Sequence, residues 1–175
     1  MATNDDCAGG GSEELVSRDP TIQDLADLCR ELNHVGAKYL VVGGFAIKSA
    51  GYNRNTGDID FVINTSEENE AFVFSALESL PDKAVLELDP GDVKKYTVVR
   101  VADEIVVDLM ASACGIDYEE ASKEIIIREI DGVPIPFATP ALLWRMKATT
   151  HRAKDEADLV FLREYFKAKG ESPPS

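Results

Sequence analysis

Two stretches of the 175-residue chain bring together residue types that do chemistry in company. In "YLVVGGFAIKSAGYNRNTGDIDFVIN", Gly43 and Gly44 precede Asp58 and Asp60; in "EIVVDLM", Asp108 stands alone among apolar residues. If a strand begins at Asp58, its side chains alternate, so Asp58 and Asp60 share one face while Ile59, Phe61 and Ile63 take the other. Two carboxylates that close repel each other and cost stability unless a cation lies between them. Mg²⁺ suits such a pair, with Mn²⁺ as its substitute, because it takes oxygen ligands and is commonly shared between carboxylates and substrate phosphates.

Asp108 is flanked by Val106, Val107, Leu109 and Met110, surroundings in which an unpaired charge is expensive. A strand lying beside Asp58 would deliver it to the pair. The resulting cluster could hold two metals, one activating an acceptor hydroxyl and one neutralising a leaving phosphate. The glycine pair, between a strand and a helix start, leaves bare backbone N–H groups open to a phosphate. In the loop "YNRNTG", Arg54 can reach a phosphate oxygen as a charged fork and Thr56 can offer a hydroxyl. In combination these residues point to phosphoryl or nucleotidyl transfer.

The elements that must position them read as α+β. Apolar spacing predicts a helix over 21–35, and "KYLVV" a buried strand running into the glycines. "FAIKSAG" follows as a short helix, and "DIDFVIN" as the strand that begins at the aspartates. Thr65 and Glu68 have capping-box spacing before a helix that ends by Pro81. "KAVLEL", "VKKYTVVRV" and "EIVVDLM" are rich in strand formers, the last two joined as a hairpin through Ala102-Asp103. Asp131-Gly132 is a second hairpin signal between "IIIREI" and "VPIPFA", and 140–169 returns to helical spacing. The expected fold is a mixed, mostly antiparallel β-sheet flanked by helices. The expected organisation is a tail at 1–18, one domain over 19–169 ending in a helical segment at 140–169, and a tail at 170–175.

Composition narrows the partners. With 18 Lys+Arg against 32 Asp+Glu, the net charge of −14 opposes a nucleic-acid backbone. Basic residues outnumber acidic ones only over 141–169, which suits a cationic wall opposite an acidic, metal-loaded site. Cys7, Cys29 and Cys114 are odd in number and widely spaced, so no disulfide framework or zinc knuckle is signalled. Neither a secretory signal nor an apolar run of membrane-spanning length is present. The expectation is a cytoplasmic protein without a membrane partner.

Val42-Gly43-Gly44 and Asp58-Ile59-Asp60-Phe61 resemble the signature of the DNA polymerase β-like nucleotidyltransferase superfamily. The likeness is greatest to small stand-alone members, the abortive-infection and toxin–antitoxin nucleotidyltransferases, whose C-terminal segment "ATPALLWRMKATTHRAKDEADLVFL" is similar to. The resemblance implies a nucleotidyltransferase fold, with Mg²⁺ held by Asp58 and Asp60 and Asp108 as third carboxylate and base for the acceptor hydroxyl. It implies NMP transfer from an NTP, ATP first, with release of pyrophosphate. Lys147 matches a lysine that contacts nucleotide phosphates in such relatives. The acceptor would be a small molecule or a protein, a toxin-like partner included. Many relatives carry Ser after the first glycine where this chain has Gly44, which leaves backbone N–H groups to meet the phosphate. A second class of reading stays open: an antitoxin-like or regulatory module that docks a protein and keeps the nucleotide pocket as a sensor or vestige.

Overall fold

The computed structural model describes residues 16–175. Thr21 starts helix α1 (Ile22–His34) with a reciprocal cap. Its hydroxyl accepts from the Asp24 N–H, and its own N–H donates to the Asp24 carboxylate at 2.6 Å. Leu25, Leu28, Cys29 and Leu32 make the buried stripe. Strand β1 (Tyr39–Val42) is buried throughout and runs directly into α2 (Gly43–Ala50). Strand β2 (Asp58–Ile63) begins at the aspartates, with Ile59, Phe61 and Ile63 in the core. Helix α3 (Glu67–Leu77) is capped by Ser66, whose hydroxyl accepts from Asn69, one residue later than the Thr65 cap expected.

The next segment departs from the strand-rich expectation. "KAVLEL" forms a 3₁₀ turn (Ala84–Glu87), and "VKKY" lies in α4 (Asp92–Tyr96). Acids distant in sequence hold both. The Asp103 carboxylate accepts from the N–H groups of Asp82 and Ala84, and Glu70 accepts from those of Gly91 and Val93. These tertiary caps outweigh a strand propensity that is itself strongly context-dependent.

Strands β3 (Val98–Ala102) and β4 (Val106–Met110) form a hairpin as expected, but its turn lies at 103–105, with Ala102 paired to Val106, rather than at Ala102-Asp103. A separate ribbon of β5 (Ser112–Ala113) and β6 (Ile116–Asp117) leads into α5 (Tyr118–Ala121). β7 (Ile125–Ile130) and β8 (Val133–Ala138) turn at Asp131-Gly132. The six-stranded sheet has the order β3-β4-β2-β1-β8-β7. β3/β4, β1/β2 and β7/β8 pair antiparallel, while β2/β4 and β1/β8 pair parallel. The class is the one expected: α+β, mixed and mostly antiparallel.

The C-terminal helix expected over 140–169 is two helices, α6 (Pro140–Lys147) and α7 (Ala153–Ala168). Between them His151 adopts φ +53°. In one unbroken helix, Lys147 and Asp155 would stand about 12 Å apart along the axis. The break brings the Lys147 ammonium to 2.9 Å from Asp155 Oδ1. The interruption thus allows ion pairs between the two helices that one continuous helix would not.

Of the expected N-terminal tail, residues 1–15 lie outside the described residues. Ser17 and Arg18 are fastened to the β3–β4 turn through Asp103 O and Glu104 O. Residues 171–175 carry no regular structure. Among the described residues, no helix is long and apolar enough to cross a membrane.

Candidate active site

Strand register assembles the acids. In the parallel β2/β4 pair, Asp60 lies opposite Asp108, with Asp58 two residues before Asp60 on the same face. One carboxylate oxygen from each of Asp58, Asp60 and Asp108 falls within 4.8 Å of the other two. No other group of three or more His, Cys, Asp or Glu among the described residues converges in this way. The cluster lines a cavity of about 620 Å³ that is also bordered by Gly43, Gly44, Arg54, Thr56 and Lys147. The candidate site residues Gly43, Gly44, Arg54, Thr56, Asp58, Asp60, Asp108 and Lys147 therefore line one hollow.

Crowding of the three acids falls on Asp60. Burial first, then the charges of Asp58 and Asp108, push the Asp60 carboxyl up to about 8. Asp60 accordingly holds its proton more tightly than an ordinary aspartate does. Crowded oxygen donors that hold on to a proton because their negative charge is not fully compensated fit a hard divalent ion, which would displace that proton.

The glycines take a role the sequence did not disclose. Gly43 has φ +65°, and a β-carbon there would meet the Asp60 carboxylate, coming within 2.9 Å of its Cγ. A β-carbon on Gly44 would lie 2.7 Å from Thr56 Cβ and 3.2 Å from Arg54 Nη1. The pair thus lets α2 start directly against β2 and the 52–57 loop. Gly43→Ala is expected to lower stability by about 1–3 kcal/mol, from the left-handed backbone and the collision together. It should also turn Asp60 away from its two neighbours. Melting temperature reads the first effect, and Mn²⁺ titration the second, as an affinity loss of at least tenfold.

The cationic side of the cavity is pinned from behind. Arg54 Nε and Nη2 donate to the two oxygens of Asp158 at 2.7 and 2.8 Å, and Lys147 Nζ lies 2.9 Å from Asp155 and 3.1 Å from Asp158. Asp158 is fully buried. Burial raises the Asp155 carboxyl, but hydrogen bonds from Thr150 and Lys147, with the lysine charge and Arg152 behind them, outweigh it and hold the group at about 2. Thr56, expected to offer its hydroxyl, donates it to Asp58 O at 3.0 Å. Arg54 and Lys147 therefore line the cavity as members of an ion-pair network anchored in α7.

One charged neighbour of the acids was not anticipated. Arg100, on β3, lies opposite Asp108 in the hairpin register and bridges it to Asp58. The signal was present in "VVRVADEIVVDLM", where a turn centred on Glu104 sets Arg100 across from Asp108. A second hollow, about 510 Å³ against β7, β8 and the end of α1, holds no carboxylate cluster.

No family model matches this chain, and no curated protein does either. Among solved structures it is similar to a crystal structure of an antigenic nucleotidyltransferase-like protein from Paracoccidioides brasiliensis. The two share 15% identity over 82% of this chain and 74% of that one, with a TM-score of 0.47.

Proposed function

We propose that the chain is a polymerase β-like nucleotidyltransferase that transfers NMP from an NTP–Mg²⁺ complex to a hydroxyl acceptor and releases pyrophosphate. The observation that carries the reading is the meeting of Asp58, Asp60 and Asp108 within 4.8 Å, beside a glycine-opened helix start and a cationic wall. Asp58, Asp60 and Asp108 would hold the metal, which supplies Lewis-acid neutralisation of phosphate charge.

The remaining work falls to the chain's own groups. The backbone at Gly43 and Gly44, at the α2 N-terminus, favours the negative charge of a triphosphate. Arg54 and Lys147, immobilised by Asp155 and Asp158, offer their remaining N–H donors without having to be ordered on binding. Asp108 accepts the hydroxyl proton as the acceptor oxygen bonds to the α-phosphorus. The bridge bond to the β-phosphate breaks in the same displacement, and pyrophosphate departs with the electron pair. With a net charge of −14, the acceptor is read as a small molecule or a protein.

Calorimetric titration of each NTP, with Mg²⁺ and with EDTA, tests this against an Asp58→Ala/Asp60→Ala double variant. Metal-dependent heat is expected in the wild type and at least a hundredfold weaker binding in the variant. No heat with any nucleotide, from a folded wild type, would refute the enzyme reading.

A further inference from the structure

The acidic cluster already has a cation of its own. Arg100 Nε and Nη2 each donate to Asp108 at 2.9 Å, and Nη2 also reaches Asp58 Oδ2 at 3.1 Å. Register delivers it: Arg100 pairs with Asp108 across β3/β4, and Asp108 with Asp60 across β4/β2. Cation and carboxylates form a row over three adjacent strands, with Asp60 one strand farther from the guanidinium than Asp108.

Folding alone gives little reason for an arginine here. β3 is an edge strand, and the Arg100 side chain is 60% exposed while its neighbours Val99 and Val101 turn into the core. Almost any polar residue would satisfy that position. What arginine adds is a positive charge that persists at every accessible pH, in a planar fork that fits two oxygens of one carboxylate.

We propose that Arg100 is a positioning residue that acts as an internal counter-cation for the three carboxylates and competes with the divalent ion for them. This rests on the metal-binding reading above. Without a metal, Arg100 ties Asp58 to Asp108 and keeps like charges from forcing the strands' side chains apart. Its contact with Asp58 is solvent-exposed and single, so it yields readily. Its fork on the nearly buried Asp108 is the stronger hold. Metal uptake therefore means exchange of one positive charge for another at Asp58, and affinity is lower than three free carboxylates would give.

Mn²⁺ titration followed by electron paramagnetic resonance at low ionic strength tests this on the wild type, Arg100→Gln and Arg100→Lys, alongside melting in EDTA. Arg100→Gln is expected to bind Mn²⁺ roughly tenfold more tightly, from removal of one nearby positive charge, and to melt lower than the wild type in EDTA. Arg100→Lys keeps the charge and should stay within about twofold of the wild-type affinity. If the wild type binds Mn²⁺ and Arg100→Gln binds it no more tightly, the counter-cation role is overturned while the metal site stands. Equal tightening in Arg100→Lys would overturn it as well, since charge would not be the cause. No uptake by any of the three would overturn both readings.

Discussion

Asp60→Asn is expected to melt higher than the wild type in EDTA and lower than it in Mg²⁺. Burial and the charges of Asp58 and Asp108 hold the Asp60 carboxyl up at about 8 in the fold, while the unfolded chain releases that proton near pH 4, the ordinary range for Asp. Across that window the folded state binds the extra proton, so stability falls as pH rises and levels off above 8. Arg100 on β3 faces the same acids and offsets part of the repulsion. Asn imitates the protonated form at every pH. Its advantage in EDTA should be negligible near pH 4 and largest above pH 8, at about 1–2 kcal/mol once solvent in the cavity is allowed for. For a chain of this size that is roughly 3–7 °C. In Mg²⁺ the order reverses, because binding stabilises only the protein whose three carboxylates are intact. Thermal melts at pH 5, 7 and 8.5, with each addition, decide it; an Asn variant that melts lower in EDTA at pH 8.5 would show that ionised Asp60 is tolerated.

Asp158→Ala should be the most damaging single change to the fold near the site. Its carboxylate is fully buried and receives both Arg54 and Lys147. Truncating it leaves the Lys147 ammonium, itself buried, with Asp155 alone and strips Arg54 of its anchor. Breaking a buried pair from one side costs roughly 3–5 kcal/mol, a fall of about 8–15 °C in melting temperature. Asp158→Asn, which keeps two acceptor or donor positions of the same shape, should lose less. A double variant, Arg54→Met/Asp158→Leu, should recover part of the loss, since no orphaned charge remains at that end. A loss no larger than that of an ordinary exposed substitution would mean that the network is not what joins α7 to the 52–57 loop. Because the hydrogen-bonded form of Asp155 is held at about 2, its share of this stability is present above pH 4 and vanishes on the way down to pH 2.

The acids of the site were legible because strand alternation fixes their faces without any knowledge of the rest. Asp58 and Asp60 follow from a period of two, and Asp108 from the expense of a charge inside "EIVVDLM". The roles of Gly43 and Gly44 were only half legible. A positive φ is readable from glycine, but the approach of Asp60 to the Gly43 α-carbon depends on the β1/β2 register, Val42 opposite Asp60. Lys147 and Arg54 line the cavity, but the pairing of Lys147 with Asp155 and Asp158 spans the helix break at 148–152, which apolar periodicity does not encode. The turn at Ala84–Glu87 and α4 were misread as strand because their caps, Asp103 and Glu70, are supplied from 19 to 23 residues away in the chain. Local propensity is blind to such partners.

The parallel pairing of β2 with β4 bears on when the site comes into being. Antiparallel neighbours zip from a turn, as β3 and β4 do, but β2 and β4 have no turn in common. After Ile63 the chain must lay down α3, the 3₁₀ turn, α4 and the whole β3–β4 hairpin before Val106 can join Asp58. The loop entropy of that detour is met before any cross-strand contact rewards it. Arg100 and Asp108 can meet as soon as their hairpin closes, whereas Asp60 joins them only across the longer β2/β4 loop, and a nascent chain has no assembled acidic cluster until Asp108 has been made.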